Sequence, residues 1–184
     1  MIGELISKLA HDPFNPEHNF DAAVEYERLN QTASAVSFYL RCAEYGGENS
    51  ILVYTSLIKL AKCFETQNDR KHTVTNCLLQ AIAYMPTRPE AYFLLSQFHE
   101  KESNWQECYT FAVMGKNCIA YNPLPVNVEY YGLYCLTFEQ AVSAYWIGRL
   151  DESVTLFKEL LQQDISAEYR DAIKYNLGRL NVSV

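Results

Sequence analysis

Three residues between positions 69 and 77 have side chains that could carry out nucleophilic chemistry. Asp69, His72 and Cys77 supply a carboxylate, an imidazole and a thiol, and a cysteine nucleophile needs an oriented imidazole beside it. All three fall on one predicted turn and helix, where their spacing forms no pocket for a substrate. We therefore interpret them as structural residues, and we expect no catalytic residue and no enzymatic activity from this chain by itself.

A metal site is the second kind of chemistry to consider, at His99, Glu100 and Glu102. Adjacent charged residues at a helix end are usually solvated, so we interpret this group as surface residues. The six cysteines include no C-x-x-C pair and the four histidines stand apart, which predicts neither a zinc site nor a disulfide framework. We expect no metal and no cofactor, and we interpret the cysteines as reduced, small apolar residues.

Composition and charge narrow the classes of partner. The chain has 184 residues and a formal net charge of −7, which disfavours nucleic acid, because that binding depends on Lys and Arg neutralising phosphates. No apolar run approaches the roughly 20 residues of a membrane-spanning helix, and Met1 is not followed by a signal-peptide pattern. We expect a cytoplasmic protein without a membrane span.

The elements that would position any site are helices. Apolar residues recur at helical spacing, and Gly and Pro lie between the periodic segments, which predicts an all-α fold. The helices are predicted in pairs, with first helices at 17–29, 51–66, 89–101 and 133–147, second helices at 33–45, 71–85, 105–120 and 151–163, and a last helix at 167–180.

The pairs share an entry motif and small residues at fixed places. "PFNPE" at 13–17 recurs as "PTRPE" at 86–90; the first proline ends one helix, and the second sits at the start of the next, where a missing N–H costs nothing. Two helices approach closely only where side chains are small. The recurring small residues are Ala23, Ala61, Ser96 and Ala141 in first helices, and Cys42, Ala81 and Gly115 in second helices.

These patterns resemble the tetratricopeptide repeat (TPR), a helix-turn-helix unit of 34 residues. The matching positions are Ala22, Ala23, Tyr26, Ala35, Tyr39 and Cys42 in the first pair, Leu60, Ala61, Phe64, Ala81 and Pro86 in the second, and Tyr92, Leu95, Ser96, Trp105, Cys108 and Gly115 in the third. The fourth pair contains "AYWIGRLDESVTLFKELL". The resemblance implies an all-α, right-handed α-solenoid of about four helix pairs, with an N-terminal half-repeat and a C-terminal capping helix.

The expected organisation is a single TPR-like domain over 1–184. Its parts are a partial repeat at 1–13, repeats at 17–46, 51–86, 89–120 and 133–163, a Pro/Tyr-rich insert at 118–132, and the capping helix at 167–180. Because residues 1–13 resemble the tail of a repeat, the sequence leaves open whether the functional protein begins at Met1.

The TPR resemblance also implies a partner-binding surface. In TPR proteins, ligand contacts come mainly from first-helix residues on the concave face. The corresponding residues here are Phe20, Val24, Glu27, Arg28, Ile58, Lys62, Glu65, Phe93, Gln97, Glu100 and Lys101. They lack the Lys/Asn set that clamps a C-terminal carboxylate. Phe20, Ile58 and Phe93 either contact a partner or are partly buried against neighbouring repeats.

The insert is the other candidate contact, with Tyr121, Tyr130, Tyr131 and Tyr134 around two prolines. Tyrosines could stack on a sugar or a protein partner. They could equally fill the gap between the third and fourth repeats, which is the interpretation we favour.

The predicted function is a protein-interaction or scaffolding module that binds a peptide or a partner subunit in the concave groove. A weaker resemblance, to the repeat segment attached to family-2-type glycosyltransferases of bacteria and viruses, implies a non-catalytic accessory role instead. The partner would then be a glycosyltransferase catalytic domain. Such domains carry a D-x-D motif, and this sequence has none.

Overall fold

The computed structural model describes residues 2–48, 50–67, 70–119 and 122–180. Over these residues the regular structure is helical, without a strand. The helices are α1 (Ile2–His11), α2 (Pro16–Arg28), α3 (Thr32–Tyr45), α4 (Ile51–Glu65), α5 (Lys71–Tyr84), α6 (Glu90–Lys101), α7 (Trp105–Lys116), α8 (Leu133–Trp146), α9 (Leu150–Leu161) and α10 (Ala167–Arg179). The all-α fold is confirmed.

Polar side chains and prolines set the helix starts. Asn15 caps α2 by accepting a hydrogen bond from the His18 amide at 3.0 Å, and Pro16 follows it in the first turn. Ser50 and Ser166 cap α4 and α10 in the same way. An uncapped helix start leaves backbone N–H groups without partners, so these residues explain why the predicted boundaries lie close to the observed ones.

The largest difference in boundary is at the end of α7. The helix was predicted to reach residue 120, but it ends at Lys116. The Asn117 side chain donates to the Val113 carbonyl at 3.1 Å, and the Cys118 amide donates to Gly115 at 3.1 Å. These bonds close the last turn of the helix before the insert begins.

The chain divides into two compact units. Unit 1 comprises Met1–Pro86 with Ala120–Val128, and unit 2 comprises Thr87–Ile119 with Glu129–Val184. In unit 1, α2 packs on α1 and α3, and α4 packs on α3 and α5. In unit 2, α7 packs between α6 and α8, and α9 packs between α8 and α10. The organisation as a single domain over 1–184 stays a prediction.

The small residues lie at the close helix contacts. Ala23, Ala61, Ser96, Ala141, Cys42 and Ala81 are all buried. Gly115 allows the tightest approach in unit 2, because a Cβ there would lie 2.8 Å from the Tyr92 Cβ and 2.9 Å from a Leu136 methyl. These contacts place the helix pairs of each unit against one another.

Candidate functional site

The residues first considered for nucleophilic chemistry do not form a reactive site among the described residues. His72 is exposed at the start of α5, whereas Cys77 is buried, and Asp69 lies outside the described residues. Burial raises the pKa of the Cys77 thiol, and desolvation does the same for the other cysteines. A raised pKa keeps a thiol protonated and unreactive.

The candidate metal group is likewise not assembled. In the part of the chain that the structure describes, no group of three or more His, Cys, Asp or Glu side chains is placed to hold a metal ion. The His99 ring stacks on Phe111 with centroids 5.5 Å apart, and desolvation lowers its pKa. None of the helices in the described ranges is both long and apolar enough to cross a membrane.

The predicted concave-face residues of α2 divide between core and surface. Phe20 is buried and Val24 is half-buried. Glu27 lies inside unit 1, where it accepts a hydrogen bond from the Tyr39 hydroxyl at 2.7 Å and pairs with Lys59 Nζ at 2.5 Å. Arg28 is exposed and pairs with Glu25 at 2.8 Å. Val24 is therefore the apolar member of this set with surface left for contact, and Arg28 is the exposed charged member.

Phe20 and Val24 open onto a groove of unit 1, with a volume of about 830 Å³. Its apolar wall comes from α1, α2, α4 and the insert, and its polar edge comes mainly from α2. The apolar lining residues are Leu5, Phe20, Val24, Ile51, Leu52, Pro125 and Val126, and the polar ones are Glu17, Asp21, Glu25 and Ser50. The three acidic residues follow one another at four-residue spacing, which places them on one face of α2.

The predicted residues of α4 and α6 lie elsewhere. Ile58 and Phe93 are buried, at 0% and 1% exposure. Lys62, Glu65, Gln97 and Glu100 are half-buried, and Lys101 is exposed. Burial against neighbouring repeats was the alternative left open for Phe20, Ile58 and Phe93. All three are buried within their own unit, and Phe20, at 4% exposure, also borders the groove of unit 1. Partner contact by the remaining residues stays a prediction.

The insert tyrosines have different environments, and Tyr121 lies outside the described residues. The Tyr130 ring packs on Phe93 with centroids 5.5 Å apart, and burial raises the Tyr130 pKa. Tyr134 meets the Tyr169 ring edge-on at 5.2 Å, whereas Tyr131 is 58% exposed. Tyr130 and Tyr134 thus fill space within unit 2, and Tyr131 remains available for contact.

Unit 2 contains a smaller cavity of about 220 Å³ with aromatic walls. Trp105 and Trp146 stack at its edge with centroids 4.9 Å apart and planes 13° apart. Its lining residues are Glu100, Trp105, Phe138, Val142, Tyr145, Trp146, Phe157, Asn176, Arg179 and Leu180. Apart from Glu100, none of these was predicted as a site residue. The pairing of two tryptophans from separate helices is a tertiary contact that neither helix indicates alone.

A comparison with protein-family models gives no match, and no curated protein matches the chain. Solved structures do match. MamA has a TM-score of 0.68 at 16% identity, over 88% of this chain and 85% of its own. PilW, a widely conserved type IV pilus biogenesis factor, has a TM-score of 0.68 at 14% identity, over 92% of this chain and 72% of its own.

A third similar structure is YrrB, a TPR protein with an unusual peptide-binding site. Its TM-score is 0.66 at 11% identity, and the match covers 95% of this chain and 81% of YrrB. Identities this low establish the fold alone. The chain therefore has the helical-repeat fold of TPR proteins, as the resemblance implied.

Proposed function

We propose that this chain is a protein-interaction module, and that the groove of unit 1 binds an extended peptide segment of a partner. The observation that carries the proposal is the groove itself, whose wall includes the predicted concave-face residues Phe20 and Val24. Its volume of about 830 Å³ falls within the usual range of roughly 300–1,000 Å³ for binding clefts. The TPR-like fold and the peptide-binding site of YrrB support the same function.

The lining of the groove suggests the chemistry of the peptide. Apolar side chains of the partner would bury surface against Val24, Ile51 and Leu52. Glu17 and Asp21 are exposed at the edge, where they would attract Lys or Arg residues of the peptide. We therefore expect a segment that combines apolar and basic residues.

The accessory role in a glycosyltransferase receives no support from the similar structures, and no contact in the described residues favours it. A catalytic domain as partner and a cytoplasmic location stay predictions from the sequence. The peptide-binding function is testable without settling either of them.

To test the proposal, peptides would be selected from a displayed random library for binding to the full chain. Their affinity for the chain would then be measured by calorimetry. We expect enrichment of basic residues flanked by apolar ones. Asp21→Lys should weaken binding of the selected peptides by roughly tenfold, because it reverses one charge at the edge of the groove. Val24→Asp should weaken their binding further, because a carboxylate would replace apolar contact surface.

Asp171→Lys is the matched control for the charge change. Asp171 is exposed on α10 of unit 2, so the same substitution there should leave affinity unchanged apart from a general effect of net charge. Peptides that bind Asp21→Lys and Val24→Asp as tightly as they bind the original chain would show that this groove is not the site.

A further inference from the structure

Aromatic rings that line the cavity of unit 2 are partly exposed at the protein surface. Trp146 is 52% exposed and Tyr145 is 38% exposed. The Tyr145 ring meets Trp146 edge-on at 5.2 Å, and Trp146 stacks on Trp105. Aromatic faces attract cations through the ring quadrupole, and tryptophan does so most strongly.

An acidic group lies in the same cavity. Glu100 lines it, and desolvation raises the pKa of this carboxyl, while the charge of Lys101 counteracts the shift. Arg179 also lines the cavity, but it is exposed and is not among the groups that shift the Glu100 pKa. A cation that entered the cavity would therefore meet a carboxylate that is only partly compensated.

A second acidic side chain interacts electrostatically with Glu100. Glu139 of α8 is 1% exposed, and its pKa is raised by burial and by the charge of Glu100. Two neighbouring carboxylates repel each other, and a nearby cation relieves that repulsion. The electrostatics of this part of unit 2 thus favour a positive ligand.

We propose that the cavity of unit 2 is a second binding site, which takes one cationic side chain, Arg or Lys, from a partner protein. Trp105, Tyr145 and Trp146 would contact the side chain, and Glu100 would pair with its charge. The volume of about 220 Å³ is below the range of drug-sized clefts and is suited to a single side chain. The site goes beyond the proposed groove of unit 1 and does not depend on it.

The tryptophans provide the measurement. The chain contains two tryptophans, and both line this cavity, so intrinsic tryptophan fluorescence reports on it. We would titrate the full chain with acetyl-Gly-Arg-Gly-amide and with the same peptide carrying citrulline, the neutral isostere of arginine. We expect a saturable change with the arginine peptide, and at least roughly tenfold weaker binding of the citrulline peptide.

Substitutions test whether the arginine peptide binds in this cavity. Glu100→Gln should weaken binding of the arginine peptide by roughly tenfold, since it removes the charged partner. Glu107→Gln, an exposed carboxylate of α7 outside the cavity lining, is the matched control and should bind as the original chain does. Asp21→Lys, in the groove of unit 1, should also leave this titration unchanged, so the two proposals can fail separately.

Three outcomes would overturn the proposal. The citrulline peptide could bind as tightly as the arginine peptide, which would make the cavity an apolar site. An acetyl-Gly-Glu-Gly-amide peptide could bind instead, which would assign the cavity to anions through Arg179. Absence of any saturable change in the original chain would exclude the site without reference to any variant.

Discussion

One acidic residue of each unit, Glu27 in unit 1 and Glu139 in unit 2, is accommodated in an opposite way. In unit 1, Glu27 pairs with Lys59 at 2.5 Å and accepts the Tyr39 hydroxyl at 2.7 Å. In unit 2, Glu139 is 1% exposed, and its pKa is raised well above the usual value by burial and by the charge of Glu100. A buried charge is tolerated when it is paired and is otherwise neutralised by a proton. Glu27 is thus compensated by a neighbouring cation, whereas Glu139 is accommodated by a raised pKa. The difference belongs to these two residues, because the buried Glu90 of unit 2 pairs with Arg88.

The largest expected effect comes from breaking the compensated pair in unit 1. Glu27→Gln removes the carboxylate and leaves the Lys59 ammonium, whose side chain is 11% exposed, without its partner. We expect the free energy of unfolding to fall by about 2–3 kcal/mol, less than for a fully buried pair because 35% of the Glu27 side chain is exposed. Urea denaturation followed by far-UV circular dichroism measures it.

Glu25→Gln is the control for that prediction. Glu25 pairs with Arg28 on the surface of the same helix, and solvent screens such pairs, so its loss should change stability little. Equal effects of the two substitutions would mean that the Lys59 pair stabilises unit 1 no more than a surface pair does.

A medium effect is expected from the packing of unit 2. Ala81 fills a close contact in unit 1, but the equivalent small residue of unit 2, Gly115, leaves no room for a methyl group near Tyr92 and Leu136. Gly115→Ala should lower the free energy of unfolding by about 1–2 kcal/mol through overpacking, as measured by urea denaturation.

Gly178 of α10 offers the matched substitution. A Cβ at Gly178 would meet nothing within 4 Å, so Gly178→Ala should stabilise by about 0.5–1 kcal/mol through helix propensity alone. A stabilising Gly115→Ala would show that the contact between α7 and its neighbours is looser than the distances indicate.

The smallest effect tests the uncompensated carboxylate directly. The Glu139 pKa is raised in the folded chain, so the folded chain retains a proton that the unfolded chain releases. The contribution of Glu139 to stability is therefore greatest below the unfolded pKa, about 4.3 for a glutamate, and is lost as the pH rises through the folded value. Glu139→Gln should remove this loss and leave the chain about 1 kcal/mol more stable than the original at pH 8.

Thermal and urea unfolding between pH 4 and pH 8 would measure the slope of the free energy of unfolding against pH. The groups that act on Glu139 are Glu100, Gln97, Cys108 and Lys101. Because the Glu100 pKa is also raised, part of the slope should remain in Glu139→Gln and disappear with Glu100→Gln in addition. Identical slopes for Glu139→Gln and the original chain would show that Glu139 does not titrate in this range.

The sequence predicted the helices well because their signals are local. Asn15, Pro16 and Ser50 act on the turn that follows them, and small residues such as Ala23 mark a contact without naming the partner helix. The end of α7 was missed because a side-chain bond from Asn117 closes it. Capping residues, prolines and small contact residues, in contrast, are visible in the sequence within a few residues of the helix that they affect.

The site was harder to predict because it depends on contacts between distant residues. The sequence left open whether Phe93 contacts a partner or is buried, and in the structure Tyr130 of the insert packs on it. The Trp105 stack on Trp146 and the approach of Glu100 to Glu139 also join separate helices. The resemblance to TPR proteins predicted a binding face that includes Phe20 and Val24, which border the groove of unit 1, but it could not show which residues of that face are covered.

The buried cysteines allow local unfolding to be measured separately in each unit. Cys42, Cys63 and Cys77 are buried in unit 1, and Cys108 and Cys135 are buried in unit 2. A thiol sealed in this way reacts with an alkylating reagent only when the surrounding helices open, so its modification rate measures local unfolding under native conditions. Mass-spectrometric mapping of the alkylated peptides would therefore give the opening rate of each helix pair without any amino-acid substitution.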